Sequence, residues 1–394
     1  MFITTCSLEC AAFDRMGSRA AAAVRSGHGS TSVGRLAVPL PKFAIPPMYS
    51  ATVWTDPKLY AGHFQGHIDL NAFHESFRRR AAGNRVAIPT EVDQAFLDTQ
   101  EAELEPIRDL VIRHRLAQIQ AADEEIASQV ARLADAQHRL GSKEAKAAGH
   151  SARMSMHKIA AARRRRASLA QNVDGCQLGR MFPGSFVPIV TVQDGQTLIR
   201  PMRYQCRPSS VERRMENLLE SPHHARKDCL QGRWRTEFGH THGVIAVESL
   251  FEAVALHRLR NRQLLRGEGL AALELEFLPT PRQTLYVACL WSHWQRPGRA
   301  DLLSFATIVD RAPAEVQAAG QDICPVVIKQ ENVNAWLNPD PTDLAASLAI
   351  LEDRPAVSYE HFPSSAERER LARPAPAKII NLWKPPQSRS PLAA

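Results

Sequence analysis

Apolar residues recur with a helical period between about residues 91 and 171. One stripe repeats every seventh residue, at Ile112, Ile119, Ile126, Leu133 and Leu140. Leu116 and Val130 lie one turn on from members of this stripe, and the other faces are charged. Such a pattern predicts a long amphipathic helix, which Gly141 and Ser142 end.

A second helix is predicted over about 143–170. It carries Met154, Met156 and Ile159 and finishes on the run 163–166 of four arginines before Gly175 breaks the pattern. Two helices joined by a short polar loop form an antiparallel hairpin, and we expect their apolar stripes to bury one another. The arginine run has two interpretations, a phosphate-binding site or a solvated helix face, and the pattern favours the second.

Strand patterns follow residue 176. The segments 186–192 and 197–199 flank the turn Asp194-Gly195 and predict a β-hairpin. Further strands are predicted at 243–247, 273–278, 285–290, 304–309 and 326–328. Short helices are predicted near 313–319 and 331–337. These elements predict an α+β domain with a curved mixed or antiparallel sheet or partial barrel, outer helices and the inserted long helical hairpin.

Both ends of the chain differ in composition from the middle. Residues 1–47 are rich in small residues with scattered Arg, and contain only Glu9 and Asp14 as acids. We expect a disordered extension or a stretch ahead of the true start; a transit peptide is the weaker alternative. The folded domain is predicted over 48–365, including the 91–171 hairpin, and the Pro- and Arg-rich residues 366–394 as a flexible tail.

The composition narrows the class of protein. The 394 residues are 44% hydrophobic and 23% charged, as in soluble globular proteins. There is no apolar run long enough to span a membrane, so we expect a cytoplasmic protein. The seven cysteines are scattered without a C-x-x-C pair, which argues against a disulfide framework and a structural zinc site. The net charge of +8 permits nucleic-acid binding without demonstrating it.

Several motifs occur in a fixed order between about residues 48 and 345. They are Pro201–Pro208, Ala225–Asp228, Phe238–Val244, Ser249–Glu252, Ala288–Trp294, and Ser304–Ala306 through Leu337–Pro339. Each motif alone is weak, but the ordered set resembles the SOS-response-associated peptidase (SRAP) family of abasic-site processing proteins. The resemblance is to a bacterial branch with a helical insertion in particular.

The resemblance implies a mechanism. Family members expose an N-terminal cysteine whose amine and thiol condense with the aldehyde of an abasic site in single-stranded DNA, giving a stable protein–DNA crosslink. A Glu and a His shuttle protons, because a carboxyl group and an imidazole can each give or take a proton near neutral pH.

Two positions depart from the family pattern. The family start Met-Cys-Tyr-Ser-Ala lines up with Pro47–Ala51, so Met48 stands in place of the cysteine, or the cysteine has been deleted behind a former start. A thioether has no proton to lose, and a Met within the chain has no free amine. Where the family reads Gly-His-Asp-Arg, this chain reads Gly320-Gln321-Asp322-Ile323. The Gln321 amide can hydrogen-bond a ligand or the loop backbone, but it cannot act as a general acid or base.

Other residues match the family's positions. Glu252 corresponds to the catalytic Glu, and its apolar neighbours predict a raised pKa, although a surface Glu at a strand end has the same sequence pattern. Arg226 follows the family's Asn-Ala-Arg motif, which binds phosphate, with His224 at the Asn position. Three further residues, Arg203, Tyr204 and Arg207, have the mixture of charge and aromatic surface that binds single-stranded DNA; the alternatives are ion pairing and core packing.

A metal site is a third possibility. His240 and His242 would lie on one face of a strand, with His293 between two tryptophans. Hydrogen-bonded structural histidines are the favoured interpretation. The sequence thus predicts a degenerate family member that binds single-stranded or abasic DNA without crosslinking. We expect such a protein to be associated with the nucleoid and to need no cofactor. The alternatives are an active crosslinking peptidase and, more weakly, a metal-dependent hydrolase.

Overall fold

The structure, a computed structural model, describes residues 50–98, 101–139, 145–170, 177–209 and 223–372. The predicted N-terminal extension, Met48, Leu140 and most of the predicted C-terminal tail lie outside the described residues. No helix in these ranges is both long and apolar enough to cross a lipid bilayer.

Thirteen strands of the described residues join into one mixed sheet. In chain order they are β1 (Ser50–Trp54), β2 (His67–Ile68), β3 (Leu178–Met181), β4 (Phe186–Gln193), β5 (Gln196–Tyr204), β6 (His224–Arg226), β7 (His242–Ala255), β8 (Ala272–Thr280), β9 (Leu285–Trp294), β10 (Leu302–Arg311), β11 (Ile323–Pro325), β12 (Val327–Ile328) and β13 (Ser358–Pro363).

Five of these strands close into a ring. β9 pairs with β10, β10 with β5, β5 with β4, β4 with β7, and β7 returns to β9. The β5–β10 pair is parallel and the other four are antiparallel. This ring confirms the predicted α+β fold with a curved sheet, and it removes the open edges that a flat sheet would leave.

Strand β7 connects the ring to the rest of the sheet. It is 14 residues long, and its second half pairs with β1 on one side and β8 on the other. Alternate residues divide between two cores: Ile245 and Val247 pack inside the ring, whereas Val244 and Ala246 pack under the outer helices. Such a strand is buried on both faces, which explains why its sequence is a nearly continuous apolar run.

Ten α-helices are described. They are α1 (Pro57–Phe64), α2 (Leu70–Ala81), α3 (Thr90–Leu97), α4 (Glu105–His138), α5 (Ala145–Ala170), α6 (Leu256–Leu259), α7 (Ala314–Ala318), α8 (Val333–Leu337), α9 (Leu344–Glu352) and α10 (Ser365–Ala372). The last helix covers the first residues of the predicted tail.

Helices α4 and α5 form the predicted antiparallel hairpin, but its seam differs from the prediction. The expected stripe is only half-buried at Ile119 and Ile126, and Leu116 is 61% exposed. The buried seam consists mainly of small residues: Ala122, Gln129 and Ala136 of α4, and Ala148, Ala152, Ser155, Ile159 and Ala162 of α5. The predicted burial is confirmed for Ile159 but is wrong for Leu116, Met154 and Met156, because small side chains elsewhere in the seam let the two helices approach closely.

Polar contacts join α2, α3 and the first long helix α4, and they also join the two long helices to each other. Arg80 of α2 and Asp93 of α3 form a buried bidentate ion pair with N–O distances of 2.7 and 3.2 Å. Arg115 of α4 donates to the Gln94 side chain at 3.1 Å. Between the two long helices, the last arginines of the run pair with acids of α4: Arg165 with Glu125 at 2.7 Å and Arg166 with Asp123 at 2.6 Å.

Candidate functional site

Glu252 lies near the end of β7 and is 1% exposed. Burial raises the pKa of its carboxyl group to about 8, against the opposing effect of a hydrogen bond from the Gln321 side chain. The group is therefore mostly protonated and neutral at pH 7. Its Oε2 atom is buried and has no hydrogen-bond partner in the described part of the chain. A buried polar atom left open in this way is available to a ligand.

Gln321 reaches Glu252 because of the tight loop that precedes it. Helix α7 ends at Ala318, and the backbone N–H groups of Gly320 and Gln321 donate back to the carbonyl groups of Gln317 and Val316. The Gln321 side chain lines the same cleft as Glu252 and lowers the pKa of its carboxyl group.

Gly320 allows this loop to lie against β7. Its φ is +101°, in the region that favours glycine. A Cβ atom added there would lie 2.9 Å from Cγ1 of Val254 and 3.0 Å from Cβ of Arg258. Only a residue without a side chain fits, and the close approach brings Gln321 over the end of β7.

An open cleft of about 370 Å³ lies beside Glu252. It is lined by Arg226, Glu252, Ala253, Ala255, Arg258, Leu270, Gly320, Gln321, Asp322 and Ile323. The structure thus brings together three of the residues that the sequence predicted for the site: Arg226, Glu252 and Gln321.

Two arginines stand at the rim of the cleft, each paired with an aspartate. Arg226 donates to Asp228 at 3.1 and 2.8 Å, and Arg258 donates to Asp322 at 2.6 Å. Both guanidinium groups are well exposed to solvent. Exposed ion pairs of this kind contribute about 0 to 1 kcal/mol, so a phosphate group can replace the aspartate at little cost.

Strand β6 positions Arg226 by pairing in parallel with β10, with His224 opposite Thr307 and Arg226 opposite Val309. Lys227 anchors the strand from the other side through ion pairs to Asp310, at 3.0 Å, and to Glu352. Burial lowers the pKa of His224 well below its usual value. Its imidazole is therefore neutral at pH 7 and adds no positive charge beside Arg226.

The predicted stacking platform is not at the surface. Tyr204 is 1% exposed and packs inside the ring, with its centroid 5.3 Å from that of Phe305. Arg207 is 7% exposed, with its guanidinium 4.6 Å above the Trp294 ring. The prediction that Tyr204 and Arg207 contact DNA is wrong for these buried conformations. Arg203 is half-buried and donates to the Gln205 carbonyl at 3.0 Å.

His242 cannot serve as a metal ligand. The Gly239 N–H donates to its Nε2 at 2.8 Å, and its Nδ1 donates to the Trp336 carbonyl at 2.9 Å. Burial lowers its pKa to about 3, and the ring stacks on Trp336 at 3.8 Å. His293 pairs with Asp301 at 3.1 Å on the surface. In the described ranges no three His, Cys, Asp or Glu side chains cluster as a metal site would require, so the proposed site of His240, His242 and His293 is wrong.

Arg180 holds the start of β1 against β7. Its guanidinium lies 3.3 Å from the centroid of Phe251, donates to Ser50 Oγ at 2.6 Å and pairs with Glu274 at 2.8 Å. Ser50 pairs with Phe251, the residue before Glu252, so β1 begins next to the buried carboxyl group. Sequence reasoning missed both Arg180 and Arg258, because neither belongs to a recognisable motif.

Comparisons with known proteins bear on this arrangement. Residues 151–367 match the sequence profile of the SOS response associated peptidase (SRAP) family. No curated protein matches the chain.

Three crystal structures resemble part of the fold. A protein from Bacteroides thetaiotaomicron is 14% identical, covers 47% of this chain and 77% of its own, and has a TM-score of 0.38. A protein from Bordetella bronchiseptica is 16% identical, with coverages of 47% and 88% and a TM-score of 0.38. A phage-related protein from the same organism is 15% identical, with coverages of 50% and 86% and a TM-score of 0.37.

The family profile spans more than half of the chain and includes the ring of strands, Arg226, Glu252 and Gln321. This chain belongs to the SOS response associated peptidase (SRAP) family.

Proposed function

We propose that this chain binds single-stranded DNA, with abasic sites as its target, through the cleft between Arg226 and Arg258, and that it forms no covalent crosslink. The observation that carries the proposal is that Gln321 and Glu252 line the same cleft. The position that should hold the proton-transferring imidazole holds an amide, which occupies one side of the buried acid.

The chemistry of aldehyde trapping supports the absence of a crosslink. An amine must attack the open-ring aldehyde, and the resulting carbinolamine must lose water with the help of a proton carrier. Gln321 has no proton that titrates near neutral pH. The cysteine that supplies the nucleophile in the resembling family corresponds to Met48, which lies outside the described residues. The thioether of methionine cannot replace a thiolate.

The electrostatics of the cleft support the binding of a sugar-phosphate chain. Arg226 and Arg258 offer planar donor groups at the rim, which suit phosphate oxygens. Glu252 forms part of the wall in its neutral form at pH 7, so it does not repel an anion. Its unpartnered Oε2 offers a hydrogen bond to a sugar hydroxyl or an aldehyde oxygen.

An active crosslinking peptidase is the second candidate. The raised pKa of Glu252 favours it, because a general acid works best when its pKa is near the working pH. The two candidates differ in what is left after denaturation, since only a covalent product survives it.

DNA binding is tested by fluorescence anisotropy with single-stranded DNA carrying one abasic site. Arg226→Glu should weaken binding about tenfold or more, because it replaces a phosphate donor by a repelling charge. Arg235→Glu is the matched control, since Arg235 is exposed and does not line the cleft. Equal affinities for the two variants would contradict the proposed site.

The missing chemistry is tested by restoring it. A chain that begins with Met followed by position 48 as Met48→Cys, combined with Gln321→His, should gain a product that survives denaturant. Each substitution alone serves as a control. We expect Gln321→His alone to give no product, because it lacks a nucleophile.

A further inference from the structure

Helix α5 has an unusual distribution of charge. It carries Lys or Arg at 146, 153, 158 and 163–166, and it contains no Asp or Glu. Its partner α4 is mixed, with acids at 105, 109, 123–125 and 135. The positive charge of the hairpin is therefore concentrated on α5.

The buried seam fixes which face of α5 meets solvent. Ala148, Ala152, Ser155, Ile159 and Ala162 are the buried residues of α5 and lie on the side that packs against α4. The residues on the opposite side recur with spacings of three, four or seven: Lys146, His150, Arg153, His157 and Arg164. We call these five residues the outer stripe. All five are exposed, and from Lys146 to Arg164 the stripe is about 27 Å long at 1.5 Å per residue.

The outer stripe is separate from the contacts that hold the hairpin together. Arg165 and Arg166 are engaged by Glu125 and Asp123 of α4. Within the described ranges, the cations of the outer stripe have no acidic group at ion-pair distance. Their charge is therefore not neutralised by acidic side chains of the fold. A row of exposed cations on a rigid helix is a surface that can bind a polyanion.

We propose that the outer stripe of α5 binds the phosphate backbone of nucleic acid, as a surface additional to the cleft. The exposed large apolar side chains of α5 are Met154 and Met156, which lie on opposite flanks of the stripe and do not form the continuous apolar face by which a helix binds a lipid surface. Its length corresponds to several nucleotides of extended strand, and contacts with phosphates alone carry no sequence preference. The partner is accordingly a strand long enough to reach beyond the cleft. The inference rests on the proposed function in one respect, which is that the ligand is single-stranded DNA.

The test compares two lengths of single-stranded DNA by fluorescence anisotropy over a range of salt concentrations. An oligonucleotide of about 6 nucleotides with one abasic site reports on the cleft, and an intact one of about 30 nucleotides can reach both surfaces. The variant is Lys146→Gln/Arg153→Gln/Arg164→Gln. Glutamine is a good helix former, and circular dichroism checks that the hairpin stays helical.

A matched control removes the same charge elsewhere. Arg78→Gln/Arg139→Gln/Arg370→Gln neutralises three exposed arginines that pair with acids on their own helices or at a helix end. We expect the stripe variant to bind the longer DNA about tenfold more weakly, with a salt slope smaller by about 2, since each lost phosphate contact removes about 0.7 from the slope for single strands. The control should keep the wild-type slope, and both variants should keep the affinity for the short oligonucleotide.

Several outcomes would overturn the inference. One is an affinity and slope for the longer DNA equal to those of the control. Another is stripe-dependent binding to phosphatidylserine vesicles or polyglutamate at least as strong as binding to DNA. The proposed function fails separately, if Arg226→Glu leaves the binding of the short oligonucleotide unchanged while the stripe variant still weakens that of the longer one.

Discussion

Gln321 lies with Glu252 in the wall of one cleft, where its side-chain amide lowers the pKa of the buried carboxyl group. Gln321 belongs to the loop after α7 and Glu252 to the end of β7, and Arg226 and Arg258 line the same cleft. A carboxyl group with a raised pKa and one open oxygen is what acid–base chemistry uses. In this protein the residue beside Glu252 is Gln321, whose amide cannot exchange protons with the carboxyl group.

The first prediction concerns the pKa of Glu252. The amide of Gln321 stabilises the carboxylate form and so lowers the pKa against the larger effect of burial. Gln321→Ala should therefore move the pKa upward from its present value of about 8. Carboxyl carbon chemical shifts followed by NMR over a pH titration measure the change. Gln330→Ala, at an exposed amide, is the control, and a fall in the pKa of Glu252 would contradict the assigned contact.

The second prediction concerns stability and pH. An unfolded glutamate titrates near about 4.3, whereas folded Glu252 titrates near 8. Between these values the folded state binds more protons than the unfolded state, so this group makes the free energy of unfolding fall as pH rises, with a limiting slope of about 1.4 kcal/mol per pH unit, and level off above the folded pKa. Glu252→Gln removes this titration. The free energy of unfolding of the variant should therefore rise relative to that of the wild type from pH 5 to pH 9.

Urea unfolding at several pH values measures this difference. Glu331→Gln, at an exposed carboxyl group, should show no such trend. A difference between Glu252→Gln and wild type that does not change with pH would show that the carboxyl group is not buried as described.

The third prediction concerns the loop that carries Gln321. Gly320→Ala combines a positive φ with contacts below 3.0 Å to Val254, so we expect a loss of stability of about 2 to 4 kcal/mol. Gly298→Ala also changes a glycine with positive φ, but nothing lies within 4 Å of the added Cβ, and it should cost only about 1 kcal/mol. Thermal unfolding compares the two, and equal losses would contradict the close approach of the loop to β7.

The fourth prediction concerns the seam of the hairpin. Ala122 is fully buried between α4 and α5, so Ala122→Leu should force the helices apart and cost about 1 to 3 kcal/mol. Leu116 belongs to the apolar pattern but is 61% exposed, and Leu116→Ala should change stability by less than about 0.5 kcal/mol. Chemical unfolding measures the loss of stability in each variant. The loss should be larger for Ala122→Leu, and it would be larger for Leu116→Ala if the large apolar residues formed the seam.

The overall fold was largely predictable from the sequence because it depends on local patterns. The strands of the ring are apolar segments bounded by turns, and the two long helices have clear periods. The seam was not predictable from hydrophobicity, because Ala122, Gln129 and Ala136, spaced by seven, carry a weaker signal than the isoleucines beside them. Tyr204 was misplaced although strand alternation was informative: Met202 and Tyr204 face the interior of the ring, and Arg203 lies between them.

The site was predictable only in part. Glu252, Gln321 and Arg226 were found through the family resemblance, and their grouping in one cleft follows from the sheet. Arg258 was missed because it belongs to no motif: it lies on the short helix after β7 and reaches the cleft beside Gly320. His242 looked like a ligand because the sequence does not show that its two ring nitrogens are bonded to Gly239 and Trp336.

The most direct test of the central claim is a denaturing gel of the wild-type protein after incubation with single-stranded DNA that carries one abasic site. The same mixture is examined in parallel by anisotropy, so that binding and covalent attachment are measured on one sample. We expect binding without a shifted band on the denaturing gel. A band that survives denaturant, with its attachment mapped to a side chain or the amino terminus by mass spectrometry, would contradict the account.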